Sequence, residues 1–268
     1  MVAAVLAAVL LGVTRPRAPS RDQVKSLMVV AAGVIVGFPL LSAWAMQQVP
    51  AAHAAIVVAL LPLFTAIAGA LRTRQRPARG FWIVSVAGSA CVITFVLFTG
   101  HAGMQRADGL LVIAALLGAI GYAEGERLAR VLGGWQVICW ALVITAPLLL
   151  LPVAFAIHRH GVAAPLEAWL AFGYVSVVSQ LLAFFLWYEG MAMGGIVRVS
   201  QVQLLQVFLT MAVSAALLGE TITPLMLVFA ALVVALVAVS RRMPIIDAAG
   251  APQAVDRNAF ASVLERKV

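Results

Sequence analysis

Ser200, Gln203, Thr210 and Ser214 stand at offsets 0, 3, 10 and 14 in a stretch that is otherwise apolar. With 3.6 residues per turn they share one helix face, and Gln201 and Gln206 flank it. Residues of these types recognise by hydrogen bonding and do not by themselves make or break bonds. A glutamine amide brings two donors and an acceptor. Left unpaired in hydrocarbon it costs several kcal/mol, so the face must meet other helices, water or a solute. Two readings stay open. The face lines a cavity that needs neutral hydrogen-bonding groups, with Gln203 foremost, or it glues helices together, a common role in membrane bundles.

Other stripes carry similar groups. Ser176, Gln180, Ala183 and Trp187 fall at offsets 0, 4, 7 and 11, again one helical face. Gly33, Gly37, Trp44 and Gln48 form a comparable stripe, and Gly118, Tyr122 and Gly125 share another face. Trp187 and Trp44 either wall a cavity or anchor span ends at the membrane interface. Tyr122 can offer a hydroxyl to a cavity, and its small neighbours let helices approach. Glu124 with Arg127, and Glu126 with Arg130, have the spacing of helical ion pairs. Proton coupling through Glu124 or Glu189 is the alternative use of those acids. Glu220 reads as part of a turn.

The elements that must hold these residues are membrane spans. Of 268 residues, 64% are hydrophobic and 10% charged, against roughly 25% charged in soluble domains. Spans of about 20 apolar residues are expected at 26–47, 52–71, 81–99, 109–128, 136–157, 168–189, 197–218 and 223–240. Residues 1–13 read as the end of a further span, the remainder of a longer N-terminal element, and give about nine helices in all. Residues 241–268 read as an exposed tail. There is no GxxxxGK[ST], no HExxH, and no acid or histidine at the centre of a span, so neither ATP hydrolysis nor intramembrane catalysis is indicated. His53, His101, His158 and His160 lack partners at metal spacing, and Cys91 and Cys139 read as small apolar side chains. No cofactor or metal is expected.

The net charge of +8 would suggest nucleic acid in a soluble chain. Here it marks orientation, and no nucleic-acid partner is expected. Arg15, Arg17, Arg21 and Lys25, then Arg72, Arg74, Arg76 and Arg79, then Arg127, Arg130, Arg198, Arg241 and Arg242 all fall on one side when spans alternate, against Arg106 and Arg159 on the other. The richer side is cytoplasmic by the positive-inside rule, which puts the C-terminus inside an inner (plasma) membrane and the segments 100–108 and 158–166 outside. The halves also echo each other. Trp44 and Trp187 each precede a linker, followed by Ala59-Leu60-Leu61-Pro62-Leu63-Phe64-Thr65 in one half and Leu204-Leu205-Gln206-Val207-Phe208-Leu209-Thr210 in the other. An odd number of helices per repeat would invert the second copy, as in many secondary transporters.

The stretch from Gln203 to Thr210, Leu218-Gly219-Glu220 after it, Gly121-Tyr122-Ala123-Glu124-Gly125 and Trp187-Tyr188 together resemble EamA-type transporters of the drug/metabolite transporter superfamily. The resemblance implies ten helices in two inverted five-helix repeats around a central cavity, with residues 1–13 similar to the end of the second helix and the first absent. Two departures stand out: Val207 where the family often has Pro, and Arg74-Gln75 where the first repeat would carry Gly-Glu. The expected fold is thus an all-α polytopic bundle, with a first, incomplete repeat at 1–100, a second at 108–242 and a cytoplasmic tail at 243–268. The expected function is movement of a small metabolite or drug-like solute by alternating access. Its substrate-binding residues would be Gln203, Ser200, Gln206, Thr210, Gln180, Wall residues Trp187 and Trp44, Tyr122 and Gln48. The alternative is a non-transporting, truncated or regulatory relative. The partners are the solute and the lipid bilayer, and a homodimer is left open.

Overall fold

Backbone in hydrocarbon must satisfy its own polar groups, and helices do so within each segment. The fold is seen in a computed structural model that describes residues 1–48, 58–99, 106–218 and 223–246. Over these residues the chain forms α1 (Val2–Thr14), α2 (Arg21–Ala45), α3 (Leu61–Thr73), α4 (Arg79–Thr99), α5 (Arg106–Leu132), α6 (Gly134–His160), α7 (Leu166–Gly194), α8 (196–218) and α9 (Pro224–Arg242). By length and composition α2, α5, α6 and α7 can each cross a membrane, and the others are shorter apolar helices over the described residues. The helix α6 runs to His160, further than the sequence suggests.

Local chemistry sets the helix ends. Ser20 and Gln23 form a reciprocal capping box at the start of α2, with Ser20 N–H donating to Gln23 Oε1 at 2.7 Å and Gln23 N–H to Ser20 Oγ at 3.3 Å. Thr223 caps α9 ahead of Pro224, whose missing N–H costs nothing at a first position. The helix α3 stops at Arg74, held in the left-handed region at φ 54°, a position that glycine usually fills.

Two long helices change pitch in mid-course. In α2 the stretch Ala31–Gly37 is a π-helix, and Phe38 N–H reaches back to Gly33 O. Pro39 follows directly and lacks the N–H that an α-helix would use there. In α7 the stretch Val175–Leu182 is also a π-helix, closed by Ala183 N–H on Val178 O. Such segments are rare and often mark functional sites.

The centre of the bundle is α5, against which α2, α3, α6 and α7 all pack. Its crossing with α2 is glycine on glycine: a Cβ on Gly33 would fall 3.0 Å from Gly121 Cα, an approach only small residues permit. The core here joins Leu27, Val30, Leu128, Ile138, Tyr188 and Met191, and α1 packs on α6 and α7. A second cluster ties α4, α8 and α9 through Val92, Phe95, Leu204, Phe208 and Val233.

The basic segments gather at one physical end. Arg72, at the end of α3, binds Glu124 of α5 through Nε at 2.5 Å and Nη2 at 3.2 Å. Arg127 holds the same carboxylate at 2.6 Å and donates to Ser26 Oγ of α2 at 2.7 Å. At this end the tail departs from the expected exposed segment. Ile245–Ile246 pairs antiparallel with Arg76–Pro77, Ile245 is fully buried, and Arg198 Nη2 donates to Met243 O at 3.4 Å. The apolar run Met243-Pro244-Ile245-Ile246 has surface to bury, which the polar tail beyond it lacks. The rest of that tail, and His53, His101 and Glu220, lie outside the described residues.

Candidate solute-binding site

Between them α5, α7 and α8 leave an open cavity of about 480 Å³, lined by Tyr122, Tyr174, Trp187, Val202, Gln203, Gln206, Leu209 and Val213. Each wall has a local cause. After an opening α turn at Ile196–Val199, the stretch Ser200–Leu205 of α8 is wound as a 3₁₀-helix before Gln206 resumes the α-helix. The change of pitch leaves Gln203 and Gln206 together on the cavity wall. On α5, Gly125 lies against the ring of Tyr188, which a Cβ there would strike. This seats α7 on α5 and sets Trp187 edge-on to Tyr122, centroids 5.8 Å apart. Phe184 closes the aromatic group at 6.2 Å from Tyr122.

The chemistry of this wall is neutral. Gln203 Oε1 and Trp187 Nε1 are both buried and have no protein partner. One accepts and the other donates a hydrogen bond, and buried groups of this kind normally have partners. A wall of aromatic faces and glutamine side chains can hold a small polar solute and release it, because no ion pair has to be broken.

Four of the residues singled out from sequence meet at this cavity: Tyr122, Trp187, Gln203 and Gln206. The others lie elsewhere. Ser200 is buried and donates to Val197 O at 2.9 Å within its own helix. Gln180, with Ser176, lines a separate cavity of about 200 Å³ beside Met1, Ile35 and Leu142. Its Nε2 is buried without a protein partner. The π segment of α7 explains the separation, since its wider turn shifts the face carrying Ser176 and Gln180 away from Trp187. Trp44 is 54% exposed at the end of α2, and Gln48 is exposed in the turn that follows. Thr210 belongs to α8, but its side chain is outside the described ones. Sequence reasoning missed Tyr174, Val202, Leu209 and Val213. Apolar lining has no signal that separates it from lipid-facing residues.

The acids have structural partners. Glu124 is held by Arg72 and Arg127, and Glu126 by Arg130 at 2.5 Å. Glu189 Oε2 accepts from Gly134 N–H at 3.1 Å, capping α6.

The model of the EamA-like transporter family matches residues 1–98 and again 105–242. The chain belongs to the EamA-like transporter family. It is accordingly a multi-pass membrane protein whose relatives are transporters. An "Uncharacterized transporter YdeK" of Bacillus subtilis (strain 168) is 42% identical over 242 residues, covering 90% of this chain and 84% of that one. A "Probable terminal-alkyne amino-acid exporter" of Streptantibioticus cattleyicolor is 29% identical over 239 residues, covering 87% and 77%. A solved crystal structure superposes with a TM-score of 0.72 at 18% identity, covering 90% of this chain and 85% of its own. That likeness establishes the fold alone.

Proposed function

We propose that this EamA-like chain carries a small neutral or zwitterionic solute, of amino-acid size, through the cavity between α5, α7 and α8 by alternating access across an inner membrane. The observation that carries the reading is the wall itself: Tyr122, Trp187, Gln203 and Gln206, from three helices, meet around one cavity that no charged side chain lines among the described residues. Neutral hydrogen-bonding groups beside aromatic faces suit a solute that must be released as readily as it is bound. One relative is named a probable exporter of a terminal-alkyne amino acid, and a wall of amide and aromatic side chains suits a solute of that class. The π segments of α2 and α7 each lie shortly before the tryptophan, Trp44 or Trp187, that the sequence sets at corresponding points of its two halves; in this reading they are the points at which each half bends. A solute drives the switch between the two open states only by binding them unequally. The C-terminus is cytoplasmic in this reading, from the gathering of arginines at its end.

Counterflow of radiolabelled amino acids into proteoliposomes tests the proposal. Time-dependent accumulation is expected with the wild-type protein and reduced apparent affinity with Gln203→Leu. No counterflow of any of the twenty amino acids would remove the amino-acid reading.

A further inference from the structure

At the basic end of the bundle, α2, α3 and α5 leave a groove of about 520 Å³ that the solute path does not use. Its lower walls are Val29, Leu71 and Ile120, and each faces outward: Leu71 is 76% exposed. In a bilayer these side chains lie against acyl chains. Its upper rim is Lys25 and Arg72, with Glu124 beneath. Glu124 is already held by two arginines, so its charge is answered within the protein. Arg72 spends Nε and Nη2 on it, yet half of the Arg72 side chain stays exposed. Lys25 touches Asp22 at 3.1 Å, but both are strongly exposed, and such a pair holds the ammonium only loosely. Arg21 on α2 and Arg74, Arg76 and Arg79 after α3 add cations to the same stretches of the sequence.

We propose that this groove binds one anionic phospholipid, its phosphate against Lys25 and Arg72 and an acyl chain along Val29, Leu71 and Ile120. A polar ligand alone would leave the apolar walls unused, and a zwitterionic lipid would leave the cationic rim uncompensated. Basic pockets between helices at the membrane edge are suited to anionic headgroups. The occupant would bridge α2, α3 and α5 just outside the Arg72–Glu124–Arg127 cluster. The inference goes beyond the transport reading and does not depend on it.

The test uses the purified full chain in nanodiscs of phosphatidylcholine, with or without phosphatidylglycerol of the same acyl chains. It reads the thermal unfolding midpoint and, by native mass spectrometry, the lipid retained. Phosphatidylglycerol is expected to raise the midpoint by several degrees and to stay bound as a single copy, since a ligand of the folded state stabilises it. Lys25→Gln and, separately, Leu71→Asn should each reduce that retention at least several-fold, while Arg242→Gln, at the same end but outside the groove, should not. Retention of phosphatidylcholine equal to that of phosphatidylglycerol would overturn the proposal. So would an equal loss in Arg242→Gln, which would mean diffuse surface charge. A midpoint raised as far by inorganic phosphate or glycerol phosphate would mean a free-anion site and would also overturn it.

Discussion

Gln203 offers the most direct handle on the site. Gln203→Leu keeps similar bulk and removes the amide, so it should weaken binding of a solute that uses Oε1 by about 1–3 kcal/mol. Ser200→Ala, three residues earlier, should leave affinity unchanged, because Ser200 Oγ already donates to Val197 O. Equilibrium binding on purified protein checks both, and a destabilised Gln203→Leu with wild-type affinity would remove Gln203 from the site. Arg74 supports a prediction of the opposite sign. It sits at φ 54°, where an L side chain is strained and glycine is not. Arg74→Gly relieves a left-handed strain of about 1–2 kcal/mol against glycine's larger loss of chain freedom, and should therefore raise the unfolding midpoint. An unchanged or lowered midpoint would show that the Arg74 side chain makes contacts worth more than the strain.

Among the helices, the cluster at the basic end deserves a direct measurement because it joins three of them. Glu124 is nearly buried and answers two arginines, one on its own helix and one on α3. Glu124→Gln should cost about 1–3 kcal/mol, somewhat below the loss for a wholly buried pair because both arginines remain half exposed. A double-mutant cycle with Arg72→Gln isolates the link between α3 and α5, and a coupling near zero would show that the contact only sits on the surface. Glu189→Gln removes only part of the cap on α6 and should leave solute exchange intact. These contacts also mark the limits of sequence reading. The spacing of Glu124 with Arg127 and of Glu126 with Arg130 was legible, since local pairs follow from helical periodicity. Arg72 was not legible as a partner of Glu124, because nothing in a single sequence links positions so far apart. The face drawn through Ser176, Gln180 and Trp187 assumed an α-helix throughout. The π segment at Val175–Leu182 splits it, and no propensity signals that change of pitch. Tyr122, Trp187, Gln203 and Gln206 were legible because polar or aromatic residues stand out in an apolar helix.

For the molecule as a whole, hydropathy and helix spacing reveal the bundle, since lipid requires satisfied backbone whatever the details. Its orientation is the property to test. Cys91 and Cys139 are both buried and free, so replacing them with Ala gives a background for single-cysteine labelling. In intact cells an impermeant thiol reagent should label a cysteine at Val162, which is exposed, and spare one at Arg76. Labelling at Arg76 would turn the molecule over and with it the predicted cytoplasmic C-terminus.

The short clasp between Arg76–Pro77 and Ile245–Ile246 has a bearing on biogenesis. Its two halves are synthesised far apart in time, and the first must wait for α4 to α9 to be made. Contacts of such long sequence separation form late. Until then Arg198 has no Met243 carbonyl to bind, and the apolar surface that Ile245 covers stays open. Exposed apolar surface in an unfinished chain is what quality-control proteases and chaperones act upon. Closure of the clasp would thus report that α9 is in place.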